Sequence, residues 1–167
     1  MKYYSGIGSR ETPLSIKETI KEIVEILNKK DYILRSGGAP GADSFFEEFA
    51  DKKEIYLPWP KFNANSSELN SVCKNAYKVA KKFHPAWERL SEAGKKLMAR
   101  NSYQVLGQDL QTPVDFIICW TPGGKLKGGT AQAMRIANFC HIPVYNLFDT
   151  DKILHYFREV HGNYDFD

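Results

Sequence analysis

Short apolar runs alternate along this chain with segments whose apolar positions recur every three or four residues. KYYSGI predicts a first strand that ends at Gly6. TPLSIKETIKEIVEILNKK predicts a helix, with Thr12 as N-cap and Pro13 in the first turn. Its stripe is Ile16, Ile20, Ile23, Val24 and Leu27. YILRS predicts a second strand, ADSFFEEFADK a helix, and EIYLPW a third strand. PVDFIICW reads as a fourth strand, apolar throughout because both of its faces are covered. GTAQAMRIANFCH predicts a helix, PVYNLF a fifth strand and DKILHYFREVH a last helix.

Alternation of this kind implies a parallel sheet with helices on both faces. The expected fold is α/β: a Rossmann-like three-layer sandwich with a parallel five-stranded sheet in the order 3-2-1-4-5. One domain is expected over 1–167. Residues 59–112 interrupt the alternation. They predict a helical insertion over one end of the sheet, helical from about Leu69 to Lys82 and from about Trp87 to Leu106.

Composition narrows the function classes. The chain has 167 residues, 43% of them hydrophobic and 26% charged, as in ordinary globular domains. A net charge of +3 is too mild to argue for nucleic acid by itself. No apolar run has the length of a membrane span, and MKYYSGIGSR lacks the apolar core of a signal peptide. Cys73, Cys119 and Cys140 have neither disulfide-framework nor zinc spacing, and Cys119 reads as a core residue. The histidines His84, His141, His155 and His161 are scattered, so no metal site is expected. A reducing, cytoplasmic setting fits these features.

Three glycine loops fall at the carboxyl edge of the predicted sheet, where open α/β sheets bind ligands. They are SGIGSR (5–10), SGGAPGAD (36–43) and TPGGKLKGGT (121–130), and each runs into a helix. Glycine allows close backbone approach, and free N–H groups at helix starts bind anions. Together they point to a phosphate-bearing ligand. GIGSRE stops short of the dinucleotide fingerprint and no Walker pattern occurs, so no nicotinamide or P-loop cofactor is expected.

Four stretches resemble the SLOG superfamily of Rossmann-like proteins, which includes the YpsA-like proteins, the DNA-processing protein DprA (Smf) and the LOG phosphoribohydrolases. They are GIGSRETP, LRSGGAPGADSFFEEFA, MARNSYQV and TPGGKLKGGTAQAMRIA. The short chain is most similar to stand-alone YpsA-like members. The resemblance implies a nucleotide-binding site with oligomeric relatives, so a homodimer is an expectation.

On this reading Pro122, Gly123, Gly124, Gly128, Gly129 and Thr130 hold phosphate, with Lys125 and Lys127 available to neutralise it. Ser36, Gly37, Gly38, Gly41 and Asp43 flank the sugar, and Asp43 also reads as a helix cap. Gly8, Ser9 and Arg10 close the site, and Arg100 and Asn101 carry the family's middle-helix position. Gln132 stands where LOG-type hydrolases would place a glutamate. An amide cannot act as base or nucleophile, which leaves Arg100, Glu11 and Asp43 as the catalytic candidates.

The favoured expectation is a sensor or carrier of a phosphorylated nucleotide-like ligand. N-glycosidic hydrolysis of a nucleoside 5′-monophosphate is one alternative. Single-stranded DNA binding is another, with Tyr77, Phe83, His84 and Trp87 interleaved among Lys74, Lys78, Lys81 and Lys82. These aromatics could equally be the packed face of a helix. Trp59 and Phe62, after the third strand, fit either stacking on a base or capping the core.

Overall fold

The computed structural model describes residues 1–162; residues 163–167 of the expected domain lie outside the described residues. Five parallel strands form one sheet: β1 Lys2–Gly8, β2 Tyr32–Ser36, β3 Lys53–Ile55, β4 Phe116–Trp120 and β5 Val144–Asn146. Their order is β3-β2-β1-β4-β5, as the alternation of apolar runs and helices implied. Among the described residues six α-helices accompany them: α1 Lys17–Lys29, α2 Ala42–Phe49, α3 Lys74–Phe83, α4 Glu92–Leu106, α5 Thr130–Phe139 and α6 Thr150–His161.

The two-residue period of a strand assigns the two cores. Tyr4, Leu34, Phe116 and Ile118 face one side and pack with the stripe of α1, with Phe46 of α2, and with Ile153 and Phe157 of α6. Ile7, Ile117 and Cys119 face the other side and pack with Val105 of α4 and Ala133, Ile136 and Ala137 of α5. Helix α4 therefore lies directly against the sheet, where the Ser5 hydroxyl donates to the Gln104 carbonyl. Helix α3 packs outside α4, bringing Ala76 and Ala80 against Ala99 and Tyr103. Small side chains there allow the two helices to approach closely.

Several boundaries differ from the sequence reading. β1 runs on to Gly8, because Gly6 and Gly8 stay in register with Ile118 and Trp120. β3 stops at Ile55, and its successors turn away toward a short 3-10 segment at Phe62–Ala64. Helix α1 starts at Lys17 after a 3-10 turn over Leu14–Ile16. Thr12 does not cap it; the Thr12 hydroxyl donates to the Ser9 carbonyl at 2.6 Å. The middle helices start later than expected, at Lys74 and at Glu92, the latter capped by Ser91, whose hydroxyl accepts the Gly94 N–H.

Candidate functional site

In the order β3-β2-β1-β4-β5 the chain leaves β1 in opposite directions, so the connections after β1 and β4 diverge and open a crevice at their carboxyl ends. A cavity of about 380 Å³ occupies that crevice. Ile7, Gly8, Ser9, Arg10 and Glu11 line it from the β1 side. Pro122, Lys127, Gly128 and Gly129 line it from the loop after β4 and Thr130 from the start of α5, with Ala39 from the loop after β2 and Asp43 from the first turn of α2. One face of α4 closes it with Leu97, Met98, Arg100, Asn101 and Gln104. These positions recur at helical spacing, so a single stripe of α4 forms the wall.

Hydrogen bonds tie the loops together. The Ser9 N–H donates to the Trp120 carbonyl at 3.0 Å, joining the ends of β1 and β4. Asp43 sits in the first turn of α2 but is not its N-cap, which is Gly41. Its carboxylate reaches across loops instead, accepting the Gly8 N–H at 3.2 Å and the Ala39 N–H at 3.3 Å. Burial pushes this carboxyl up to about 6, although Arg100 and the backbone N–H groups of Ala39, Gly8 and Gly37 pull the other way. Gly41 has φ +86°, and a Cβ there would stand 2.5 Å from the Ser9 carbonyl, so the two loops can touch only because this residue is glycine.

Arg100 is 5% exposed. Its Nε donates to Asn101 Oδ1 at 3.0 Å, and its Nη1 donates to the carbonyls of Gly37 and Tyr56. The Phe62 ring backs the guanidinium at 5.6 Å, and Trp59 meets Phe62 edge to face at 5.3 Å. These two aromatics thus cap the core behind Arg100. Among the described residues no carboxylate lies within ion-pair distance of Arg100. Burial lowers its pKa to about 10, partly offset by the Asp43 charge. Asn101 Nδ2 donates to the Gly129 carbonyl at 3.0 Å and so ties α4 to the start of α5.

Of the residues expected at a ligand, Gly8, Ser9, Arg10, Asp43, Arg100, Asn101, Pro122, Gly128, Gly129 and Thr130 meet at this cavity, together with the catalytic candidate Glu11. The others stand elsewhere. Ser36 is buried and donates to the Gly6 carbonyl at 2.6 Å. Gly37 lies under Arg100 and Gln104, Gly38 faces Leu57, and Gly41 packs on Ser9 and Arg10. Gly123 stands beside Lys125, and Gly124 turns toward Phe148. Gln132 points away toward α3, where its Nε2 donates to the Ala80 carbonyl at 2.9 Å and its Oε1 accepts from Arg135 at 2.8 Å.

Sequence reasoning missed Leu97, Met98 and Gln104. The signal was available: Gln104 follows Arg100 by one helical turn. Among the described residues no group of His, Cys, Asp and Glu is placed to hold a metal ion. None of their helices is long and apolar enough to cross a membrane.

The basic aromatic segment is split by the fold. Lys74, Lys78, Lys81 and Lys82 of α3 are exposed. Tyr77 and Trp87 pack edge to face at 6.4 Å, and Phe83 meets Phe139 at 5.1 Å. These rings pack on neighbouring helices and form no row for stacked bases.

No protein-family model matches the chain, and no curated protein matches it. Among solved structures, it is similar to DNA processing protein A from Helicobacter pylori, described for its single-stranded DNA binding mode. The TM-score is 0.57 at 21% identity, covering 87% of this chain and 64% of that one. The chain thus spans less than two thirds of that protein, and the likeness is one of fold.

Proposed function

We propose that this chain is a SLOG-type protein whose cavity binds a nucleotide or nucleotide-derived phosphorylated ligand, as a cytoplasmic sensor or carrier. The observation that carries the reading is the meeting of Arg10, Lys127 and the first residues of α5 in one cavity at the topological switch point. A helix N-terminus offers N–H donors and a partial positive charge to an anion. Ile7, Leu97, Met98 and Pro122 give the same cavity an apolar wall suited to a planar base.

Binding without turnover is the simpler reading of the carboxylates. Gln132 is removed from the cavity, and Asp43 is engaged with backbone N–H groups. Hydrolysis would have to draw on exposed Glu11 or on Asp43. The test is a thermal-shift screen with nucleoside monophosphates, dinucleotides and cyclic nucleotides, since a ligand of the native state raises its melting temperature. The best ligand is then incubated with the protein and free base sought by chromatography. No shift by any nucleotide overturns the reading; released base makes it an enzyme. Sedimentation analysis tests the homodimer that belongs to the same reading.

The second reading is single-stranded DNA binding, favoured by the fold shared with DNA processing protein A. The exposed lysines of α3 would then contact phosphates. Oligonucleotide affinity would fall steeply with salt as counterions are released. No binding at low salt removes this reading.

A further inference from the structure

Gln104 sits on the α4 wall of the cavity, 2% exposed. Its backbone carbonyl is taken by Ser5, while its carboxamide makes no hydrogen bond with the protein among the described residues. The carboxamide is not sealed in the core either; Tyr4 Oη is the buried side-chain polar atom left without a partner there. Such an amide, open to the cavity, pairs with water there, and a ligand that fills the cavity must replace that water with a partner of its own. A polar group aimed into a cavity therefore asks for a partner in the ligand.

Its neighbours define that partner. Gln104 Nε2 and Arg100 Nη1 lie together over Gly37, whose N–H is directed to Asp43. Arg100 spends Nε and Nη1 on the protein and, among the described residues, leaves Nη2 without a hydrogen-bond partner. The floor thus combines donors (Arg100 Nη2, Gln104 Nε2) with acceptors (Gln104 Oε1, Asp43). One guanidinium and one carboxyl leave it near charge balance, whereas at the rim Arg10, Lys127 and the α5 N-terminus outweigh the single carboxylate of Glu11. A phosphate on the floor would face the Asp43 carboxylate. A hydroxyl suits it better, because each hydroxyl donates one hydrogen bond and accepts others.

We propose that Gln104 is a specificity-determining residue which, with Arg100 and Asp43, holds the sugar hydroxyls of the ligand while its phosphate lies at the Arg10 rim. This rests on the nucleotide-binding reading above. The cavity then selects ribose over deoxyribose, because removing a hydroxyl leaves buried polar groups unpaired.

Calorimetry with AMP and 2′-deoxy-AMP, on the native protein and on Gln104→Met, tests it. The expected result is a ribose preference of about tenfold or more in the native protein. Gln104→Met should bring that preference to within about twofold by weakening AMP alone. A native preference near one, or one that survives in Gln104→Met, overturns the proposal while leaving nucleotide binding intact. Loss of base discrimination with an unchanged sugar preference also overturns it, since the amide would then read the base. Absence of binding by both nucleotides overturns this proposal and the nucleotide reading together.

A second measurement needs no variant. Ribose 5-phosphate should shift the Gln104 side-chain NH₂ resonances in NMR spectra, and inorganic phosphate should leave them in place. A shift with both, or with neither, overturns the assignment.

Discussion

The Asp43 carboxylate and the Arg100 guanidinium are both buried at the base of one cavity, yet neither is the other's hydrogen-bond partner. Asp43 accepts from the backbone of Gly8 and Ala39, and Arg100 donates to the carbonyls of Gly37 and Tyr56. Each charge stabilises the other only through space, and burial outweighs that help in both cases. The site therefore holds polar groups at a cost to the fold. Such an arrangement is expected where binding rather than stability sets the residues.

Asp43 should impose a pH dependence on stability. Its carboxyl is raised from 3.8 to about 6. The folded state then binds the proton more tightly than the unfolded state. The contribution is full below the unfolded value and is lost as pH rises through about 6. The shift corresponds to about 3 kcal/mol, an upper figure for one group. Urea denaturation of the native protein and Asp43→Asn between pH 4 and pH 7 reads it. The native protein should lose stability relative to the variant as pH rises; parallel curves would refute it.

Gly37→Ala should damage the site from beneath. A Cβ there would collide with Gln104 Nε2 and stand 2.6 Å from Arg100 Nη1. Overpacking of this kind costs about 1–3 kcal/mol. The urea midpoint should fall, and nucleotide affinity should fall with it because Arg100 is displaced. A midpoint within error of the native protein would show that the ends of the Gln104 and Arg100 side chains swing aside.

Gly129→Val and Gly124→Val should separate, although the sequence pattern presents the two glycines alike. Gly129 lines the cavity with an ordinary helical φ of −63°, so valine fits the backbone, and its Cβ would stand 3.6 Å from Met98 Cε on the opposite wall, narrowing the cavity. Ligand binding should be abolished with little loss of stability. Gly124 has φ +67° and turns toward Phe148. Valine there should cost about 1–3 kcal/mol of stability and leave affinity unchanged. Calorimetry and thermal melts on both variants decide the matter, and equal affinity losses would contradict the geometry.

Arg10→Ala tests the rim. Arg10 is exposed, so its removal should scarcely change stability. It should weaken a nucleoside monophosphate about tenfold and the matching free nucleoside hardly at all, the scale expected of one charge-assisted hydrogen bond. Equal losses would mean that Arg10 does not touch phosphate.

The order of elements and the parallel sheet were legible because hydrophobic periodicity reports directly on which faces are covered. PVDFIICW could only be a strand covered on both sides, and its residues do divide between the two cores. The glycine loops were legible as an edge because each follows a strand in a βα unit. The direction of individual side chains was not. Gln132 lies two residues beyond Thr130, a rotation of about 200° around the helix axis. Once α5 packs on α3 and α4, that rotation carries its amide to Ala80 and away from the ligand edge. Asp43 looked like a local cap but fastens residues separated by the whole of α1, a contact that local sequence does not specify. The sequence by itself determined the layers, the strand order and the sheet edge at which the three glycine loops gather. Only the packing of α4 against the sheet decided that Arg100 and Gln104 face the crevice, because helix rotation is set by the surfaces a helix buries.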